Sequence, residues 1–305
     1  MSQPTSPLIP SISCSTDAAF APYAGVLLYT IARHFSGPSF TFHILDYGCT
    51  GDQQRRIERI ARRGKPSISL FWHQRRLPAA SPRERFETMC HDRLEFMHEA
   101  SESYGRLLML DVDLLVESDV MPLWQTDLRG HALGAVRDFA FPSMGDRFPS
   151  AANPLDTYYN IGVLLVDLSS WRAQSMTRQC LAQWPDAASP STPYCPDQDA
   201  ANKALSGCWQ ELDPSWNAQM IALQHHDRWP DSPWKKLVRP RLGELYHAPR
   251  IRHWCGPYKP WQQHSGCDIP FQDHYQNAFR HSGWQSRLEQ WKQRWHTFTA
   301  PGKNP

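Results

Sequence analysis

The first 110 residues alternate short apolar runs with helical segments, and this alternation limits the fold more than any other feature of the chain. The four apolar runs read as strands at Pro7–Cys14, Phe40–Leu45, Pro66–Phe71 and Arg106–Leu110. The segments between them show helical spacing from Asp17 to about Gly37, around Gln53–Arg63, and over Pro82–Glu102. Strands that alternate with helices in this way are typical of βαβ units and a mostly parallel sheet.

The second half of the chain continues the α/β pattern less regularly. Further strands are predicted at Ala132–Val136 and Tyr158–Asp167, and helices at Ser169–Gln183 and Pro196–Ser206. From Trp209 to Lys259 the sequence is rich in proline and predicts only short strands. Neither GxGxxG nor GxxxxGK[ST] occurs, which argues against a dinucleotide-binding or P-loop fold.

Length and charge narrow the class of protein. The 305 residues suffice for one large α/β domain with extensions or for two small domains. A formal net charge of +2 argues against a nucleic-acid partner, which would require a strongly basic face. No apolar run approaches the roughly 20 residues of a membrane helix. The first residues also lack the basic and apolar regions of a signal peptide, so a cytoplasmic protein is expected.

The eight cysteines form no CxxC pair and no regular framework, so we expect free thiols. A zinc site built from Cys195, His225, His226 or Cys255 is the alternative. Their spacing matches no known ligand pattern, which favours ordinary buried or surface roles for them.

Two carboxylates follow the fourth predicted strand directly, at Asp111 and Asp113. In extended chain, residues two apart point to the same face and lie ~6.5–7 Å apart. The carboxyl ends of strands are where open α/β sheets bind ligands. Two like charges placed side by side favour a shared hard cation, whereas the alternative is that one Asp caps a turn and the other is solvated.

Five motifs occur in a fixed order along the chain, and together they resemble family 8 glycosyltransferases of the glycogenin and bacterial lipopolysaccharide galactosyltransferase type. The motifs are Ser15–Tyr23, Leu110–Val116, Tyr159–Trp171, Pro196–Asn202 and His253–Trp261, and the segment Leu212–Asn217 also fits. The resemblance covers roughly residues 10–265. It implies a single nucleotide-sugar-binding domain of the GT-A type over residues 1–265, with a mostly parallel mixed sheet flanked by helices. Residues 266–305 would form a helical, Trp-rich basic extension.

The resemblance also implies a metal-dependent transfer from a UDP-sugar donor. Asp111, Asp113 and His253 would bind Mn²⁺, with Mg²⁺ as the alternative, and the metal would neutralise charge on the departing diphosphate. Gly256 would let backbone N–H groups approach the phosphates, and Lys259 would supply a positive charge.

The remaining site residues follow from the same resemblance. Asp17 would accept a hydrogen bond from uracil, although a helix N-cap is an equal alternative for it, and Phe20 would stack on the base. Ala19 stands where the family often has Asn, so one polar contact to the donor is in doubt. Arg93 would contact the donor sugar and phosphate, with an exposed helical arginine as the alternative. Asp138, Asn160 and Asp197 would bind sugar hydroxyls.

Gln198 would lie beside the anomeric carbon, and the product would keep the configuration of the donor. A front-face route suits an amide, whereas Asp197 or Asp199 could serve as a nucleophile in a double displacement. The acceptor would be a hydroxyl of a glycan or glycolipid. Two rival functions are a nucleotide-sugar-binding protein without turnover and a nucleotidyltransferase, which would normally carry a Gly-rich phosphate loop.

The last 26 residues combine basic charge with tryptophan. From Arg280 to Pro305 five basic residues and one acidic residue give a charge of +4. Trp284, Leu288, Trp291 and Trp295 follow helical spacing and predict one apolar stripe. Such a stripe either packs on the domain as a final core helix or binds the inner face of a membrane peripherally, and the sequence leaves both open.

Overall fold

The computed structural model describes residues 9–78, 80–139, 158–184, 195–205, 207–229, 231, 233–262 and 268–285. Its strands are β1 (Ser11–Thr16), β2 (Ser39–Asp46), β3 (Ser67–Gln74), β4 (Arg106–Leu110), β5 (Leu114–Val116), β6 (Leu133–Arg137), β7 (Tyr159–Asp167), β8 (Gln210–Glu211), β9 (Ala218–Gln219) and β10 (Ile251–His253). Its helices are α1 (Ala21–His34), α2 (Gly51–Arg63), α3 (Pro82–Ala100), α4 (Met121–Trp124), α5 (Leu168–Ala173), α6 (Met176–Ala182), α7 (Pro196–Ala204), α8 (Met220–Gln224), α9 (Pro233–Val238), α10 (Leu242–His247) and α11 (Gln272–Ser282).

Seven of the strands form a mixed sheet in the order β3-β2-β1-β4-β7-β6-β8. β7 runs antiparallel to both β4 and β6, and the other pairs in this sheet are parallel. The predicted mostly parallel mixed sheet is therefore confirmed. A second, three-stranded sheet has the order β5-β10-β9. Within the described part of the chain, no helix is both long and apolar enough to cross a membrane.

The central strand β4 has apolar side chains on both of its faces, as a strand between two helical layers requires. Leu108 and Leu110 belong to one core with α1, α2 and α11, whereas Leu107 and Met109 belong to a second core with α3, α5 and α7. β4 therefore lies in the middle of the protein, and the residue that follows it emerges where both helical layers end.

Two of the helices begin at a reciprocal capping box. In α2 the Thr50 hydroxyl accepts from the N–H of Gln53, whose side chain accepts from the Thr50 N–H. Ser81 and Glu84 make the same exchange at the start of α3. Each box satisfies N–H groups that the first helical turn cannot pair internally, so both helices begin at a defined residue.

The single helix predicted over Ser169–Gln183 is wrong, because the chain forms two short helices there. Ser175 adopts a left-handed conformation with φ of 53° and separates α5 from α6. The break brings the Thr177 hydroxyl to the Leu94 carbonyl at 2.9 Å and under the indole N–H of Trp171 at 2.8 Å. Packing on α3 thus overrides local helical propensity.

The C-terminal part that the structure describes packs against α1. Helix α11 ends at Gly283, which has φ of 79°, and Trp284 lies beyond that end. Its ring is buried against Gly25. Trp284 is therefore a core residue outside helix α11. The other three residues of the predicted stripe lie outside the described residues.

Candidate functional site

The site forms where the chain leaves β4. The N–H of Asp111 donates to the Gly162 carbonyl of β7 at 2.9 Å, and residues 112 and 113 then form a turn into β5. Strand β10 pairs antiparallel with β5, which places His253 opposite Leu114. Asp111 and Asp113 thus lie on either side of this turn, and the pairing of β5 with β10 brings His253 to them.

Asp111, Asp113 and His253 direct potential ligand atoms at one another. Nε2 of His253 lies 3.3 Å from Oδ1 of Asp113 and 3.9 Å from Oδ2 of Asp111. The three residues offer ligand atoms that all lie within 4.8 Å of one another, and among the described residues no other group of this kind occurs. The three residues predicted from the sequence therefore do come together.

The second oxygen of each carboxylate is paired with a cation. Lys259 donates to Oδ2 of Asp113, and Nη1 of Arg93 lies 3.0 Å from Oδ1 of Asp111. Burial by itself would raise the pKa of Asp113, but Lys259 and His253 hold it well below its ordinary value. Burial likewise opposes the charge on Arg93, while Asp111 and Asp197 raise its pKa above the ordinary value. Asp113 and Arg93 are therefore charged at neutral pH.

This donor set fits a divalent cation. Two carboxylate oxygens and an imidazole nitrogen are the ligands that suit Mn²⁺, and carboxylate oxygen also suits Mg²⁺. One potential ligand atom from each of the three residues lies within 4.8 Å of the others, while Nδ1 of His253 is engaged elsewhere. The three atoms are held ready for an ion because their other polar atoms already have partners.

A chain of hydrogen bonds connects His253 to the interior of the site. Nδ1 of His253 lies 2.8 Å from Oδ1 of Asn217, whose Nδ2 donates to Oδ1 of Asn160 at 2.9 Å. Nδ2 of Asn160 and Nε2 of Gln198 both donate to Oδ2 of Asp138 at 3.0 Å. These five side chains form one continuous network from His253 to Gln198.

Gln198 and Asp197 lie in the first turn of α7 and are buried. Oε1 of Gln198 accepts from the N–H of Ile161 at 3.1 Å, so both ends of its amide are held. Oδ2 of Asp197 lies 3.6 Å from Nη1 of Arg93 and has no hydrogen-bond partner among the described residues. Burial raises the pKa of Asp197 in spite of that arginine. Asp197 thus keeps one buried carboxylate oxygen without a hydrogen bond to the described part of the chain.

Asp199 occupies a different environment. It accepts a hydrogen bond of 2.5 Å from the Tyr158 hydroxyl, and it does not line the cavity that Asp197 and Gln198 border. Burial raises its pKa to about 6. Asp199 is therefore a structural carboxylate of α7, and the alternative in which it attacks the sugar has no support from the geometry.

A cavity of about 650 Å³ runs over these residues. This size lies within the range of small-molecule sites. Eleven of the residues predicted from the sequence line it, namely Asp17, Phe20, Arg93, Asp111, Asp113, Asn160, Asp197, Gln198, His253, Gly256 and Lys259. Asp138, the twelfth, is buried behind Asn160 and Gln198.

Phe20 lines the cavity and belongs to a cluster of aromatic side chains, which marks the aromatic end of the cavity. Phe20 is 38% exposed there and meets Trp261 edge-on, with ring centroids 6.0 Å apart. Trp261 in turn stacks on Tyr23 with centroids 3.6 Å apart, which ties the last sequence motif to the first. Oδ1 of Asp17 accepts from the N–H groups of Ala19 and Phe20 at 2.9 and 3.0 Å. Asp17 therefore stabilises the turn before α1 and also lines the cavity.

The alternative zinc site is not formed. Cys195 and Cys255 line the cavity, whereas Nδ1 of His226 lies 3.0 Å from the Leu223 carbonyl, and His225 is not among the cavity residues. Burial raises the pKa of both thiols well above the ordinary value. The seven cysteines that the structure describes are free thiols.

Sequence reasoning gave no role to Asn217 or Gly162. A Cβ atom built on Gly162 would lie 2.3 Å from Cε1 of His253, so only glycine leaves room for the imidazole. Gly162 belongs to the motif Tyr159–Trp171 and Asn217 to the segment Leu212–Asn217. Neither residue carries a charge, and the residues that they contact lie tens of positions away in the sequence. Motif membership was the only signal, and it does not reveal a packing role.

The sequence is similar to known glycosyltransferases and to a family model of them. The sequence profile of glycosyl transferase family 8 matches residues 11–265. General stress protein A of Bacillus subtilis is 26% identical over 282 residues, covering 90% of this chain and 94% of that protein. Lipopolysaccharide 1,2-glucosyltransferase of Escherichia coli is 23% identical over 280 residues, covering 90% of this chain and 79% of that protein.

Solved structures share the fold. The galactosyltransferase LgtC, solved with donor and acceptor sugar analogs, aligns with a TM-score of 0.67 and 23% identity over 93% of this chain and 99% of that one. The bifunctional glycosyltransferase WbbM aligns with a TM-score of 0.74 and 17% identity over 95% of this chain. This chain spans about half of WbbM, 52% of its length. The α/β fold is thus that of GT-A glycosyltransferases, as the sequence predicted.

Proposed function

The chain belongs to glycosyl transferase family 8, and we propose that it is a metal-dependent, retaining hexosyltransferase that uses a UDP-sugar. The observation that carries this proposal is the convergence of Asp111 Oδ2, Asp113 Oδ1 and His253 Nε2 in one cavity with Gln198 and Asp197. The donor is proposed to be UDP-galactose or UDP-glucose. The acceptor is proposed to be a hydroxyl of a glycan or glycolipid.

The diphosphate is proposed to bind where positive charge and a hard-cation site meet. Mn²⁺ or Mg²⁺ held by Asp111, Asp113 and His253 would supply Lewis-acid stabilisation of the charge that develops on the leaving diphosphate. Lys259 lines the same cavity and is fixed by Asp113 and by the Trp254 carbonyl at 2.9 Å. Gly256, with φ of 86° and open space around its Cα, lets backbone approach a phosphate oxygen.

The donor sugar is proposed to lie over the hydrogen-bond network. Asp197 and Asn160 line the cavity and can bond to sugar hydroxyls, and Asp138 holds the Asn160 amide from behind. Arg93, held between Asp111 and Asp197, can bridge the sugar and the phosphate. Because every one of these groups is already oriented, binding would require little reorganisation.

The transfer step is proposed to proceed on one face of the sugar. The bond from the anomeric carbon to the diphosphate oxygen breaks while the acceptor oxygen bonds to the same face, so configuration is kept, and the proton of the acceptor hydroxyl passes to the departing diphosphate oxygen. Gln198 is held by Ile161 and Asp138 and would stabilise positive charge on the ring carbon through its amide dipole. An amide oxygen is a poor nucleophile, which favours this route over a covalent intermediate on Gln198.

The nucleotide is proposed to occupy the aromatic end of the cavity. Phe20 offers an exposed ring face, held edge-on by Trp261 and Tyr23, on which uracil can stack. Asp17 can present its second carboxylate oxygen to the uracil N3–H, since its Oδ1 is engaged in the turn. One side chain would then serve both roles that the sequence left open for Asp17.

The class of acceptor that we propose is suggested by the name of a similar protein. The similar protein of Escherichia coli is by its name a lipopolysaccharide glucosyltransferase, and a lipopolysaccharide-type glycan is the acceptor that we propose here. Synthesis of a glycolipid would bring this chain to a membrane surface. A peripheral contact through residues 286–305 is the hypothesis that joins this acceptor to the basic tail.

A rival proposal is a nucleotide-sugar-binding protein without turnover. It would require that some catalytic residue be absent or misplaced, whereas all twelve predicted residues lie in or directly behind one cavity. A panel of UDP-sugars incubated with the purified protein and Mn²⁺ distinguishes the two. Release of UDP from UDP-galactose or UDP-glucose is expected. Binding of a UDP-sugar without UDP release, even with a glycan acceptor present, would favour the rival.

A further inference from the structure

Asn217 is completely buried and ends the 3-10 helix Pro214–Asn217, directly before β9. Its side chain lies between a metal ligand and a sugar-pocket residue. Oδ1 faces Nδ1 of His253 at 2.8 Å, and Nδ2 donates to Oδ1 of Asn160 at 2.9 Å. Both ends of this one amide are therefore used, each toward a different part of the site.

We propose that Asn217 is a positioning residue that fixes the tautomer of His253 and links the metal centre to the sugar pocket. The inference rests on the proposed function, because it assigns Asn217 a task within that same site. Asn217 does not line the cavity and would touch neither substrate nor metal. It acts through His253 on one side and through Asn160 on the other.

The direction of each hydrogen bond follows from two fixed ends. Oδ1 of Asn160 accepts from the backbone N–H of Gly162 at 2.9 Å, and Nδ2 of Asn160 donates to the Asp138 carboxylate at 3.0 Å. The amide of Asn160 can therefore be oriented in one way only, with an acceptor toward Asn217. Asn217 must then offer its N–H₂ to Asn160 and its oxygen to His253.

The direction of the hydrogen bond between Asn217 and His253 determines which ring nitrogen of His253 carries a proton. Since Oδ1 of Asn217 can only accept, Nδ1 of His253 carries a proton. The lone pair of Nε2 would then be available to a cation shared with Asp111 and Asp113. A metal-binding imidazole commonly has such a partner on its other nitrogen, which orients the ring and raises its basicity. Gly162 bounds the same ring on another side, so the imidazole has one available position.

On the other side, Asn217 supports the residues proposed to hold the sugar. Asp138 receives hydrogen bonds from Asn160 and from Gln198 on the same oxygen, Oδ2. If Asn160 loses its partner at Asn217, its amide keeps only the contacts with Gly162 and Asp138, and we expect its position, and with it that of Asp138, to be less precisely fixed. The effect then reaches Gln198 through Asp138.

Two substitutions separate these tasks. Asn217→Ala removes both contacts, so we expect Mn²⁺ affinity to fall about 10- to 100-fold and turnover to fall with it. Asn217→Asp keeps an acceptor for the His253 N–H but has no N–H for Asn160. We expect this variant to bind Mn²⁺ about as tightly as the wild type and to lose kcat in the hydrolysis of the UDP-sugar. Binding of Mn²⁺ alone is measured by electron paramagnetic resonance of the free ion.

Thr177→Val is the matched control. Thr177 is buried, makes two hydrogen bonds, to Leu94 and from Trp171, and does not line the cavity. The control loses as many hydrogen bonds as Asn217→Ala, and we expect its Mn²⁺ affinity and kcat to remain those of the wild type. Thermal unfolding of all three variants reports their stability.

Wild-type protein that neither binds Mn²⁺ nor releases UDP would contradict the proposed function itself. Wild-type protein that does both, together with an Asn217→Ala variant of unchanged affinity and kcat, would overturn the role of Asn217 alone. If Asn217→Ala does not fold, the Mn²⁺ affinity and kcat of Asn217→Asp test the inference instead. Retained affinity with reduced kcat supports the inference, and equal loss of both, or loss of neither, contradicts it.

Discussion

Gly162 lies directly against the imidazole of His253, and a single methyl group at this position would come within 2.3 Å of Cε1 and 2.8 Å of Nδ1. Distances this short require that the ring moves, because Gly162 is held in the centre of β7 and its carbonyl accepts from the N–H of Asp111. The glycine therefore determines where the imidazole of His253 can lie.

Gly162→Ala is expected to displace His253 and to lower Mn²⁺ affinity by about 10-fold or more, with overpacking that costs roughly 1–3 kcal/mol of stability. Metal titration and denaturant unfolding measure the two effects separately. Gly105→Ala is the control, since an added Cβ there meets open space. Unchanged Mn²⁺ affinity in Gly162→Ala would show that the His253 ring position does not matter for metal binding.

Asp199→Asn is expected to keep UDP-sugar turnover and to change the pH dependence of stability. The folded protein binds a proton at Asp199 with a pKa of about 6, above the ordinary value of 3.8. Between these pH values the folded state holds more protons than the unfolded state, so the free energy of unfolding falls as the pH rises. An Asn at this position still accepts from the Tyr158 hydroxyl but does not titrate. The substitution therefore removes the fall in the free energy of unfolding with rising pH, which is at most ~3 kcal/mol.

Thermal unfolding at pH 4 and pH 7 measures the predicted pH dependence of stability. Asp199→Asn should raise Tm relative to the wild type by more at pH 7 than at pH 4. Gln198→Ala provides the functional contrast, with a lower kcat expected because Gln198 acts near the transition state. If Asp199→Asn abolished turnover while folded, Asp199 would regain its place as a candidate nucleophile.

Trp284 is expected to be required for stability. Its ring packs on Gly25, and its carbonyl accepts from Nη1 of Arg56 at 2.8 Å. Trp284→Ala should cost about 3–5 kcal/mol, as the loss of a large core side chain does. Denaturant unfolding measures the cost, and Phe86→Ala, which removes an exposed ring, should cost far less. Equal costs for the two variants would contradict the burial of Trp284.

The basic tail is tested by a chain that ends at Gln285, which keeps Trp284 and removes residues 286–305. If the tail binds membranes, the full chain should co-sediment with anionic vesicles and the shortened chain should not, because Lys and Arg each contribute ~1 kcal/mol near an anionic surface. High salt should weaken the binding. Equal sedimentation of both chains, or of neither, would contradict the membrane role.

Strands β1 to β4, β6 and β7 and the acidic pair could be predicted because their signals are local. β4 begins and ends at the predicted residues, and the carboxylates of Asp111 and Asp113 follow it directly. The order of motifs brought His253 into the predicted site, although 140 residues separate it from Asp113. Local patterns and motif order together were sufficient for the fold class and for the composition of the candidate site.

The parts that could not be predicted depend on contacts across the chain. The break at Ser175 accompanies packing on α3, and residues 112 and 113 form a turn where the Asp-x-Asp pattern suggested extended chain. Asn217 donates a hydrogen bond to Asn160, which lies 57 residues earlier in the chain. No local sequence pattern indicates which distant residue a buried amide will contact. Trp284 shows helical spacing with later residues, but Gly283 ends the helix before it.

The central claim is that Asp111, Asp113 and His253 hold a divalent cation needed for sugar transfer. Its most direct test measures UDP release from UDP-galactose and UDP-glucose by the wild-type protein in EDTA and again after Mn²⁺ is added in excess, with thermal unfolding followed in parallel. The account predicts that EDTA abolishes UDP release while the protein remains folded, and that Mn²⁺ restores it. A full rate of UDP release in EDTA would contradict the account.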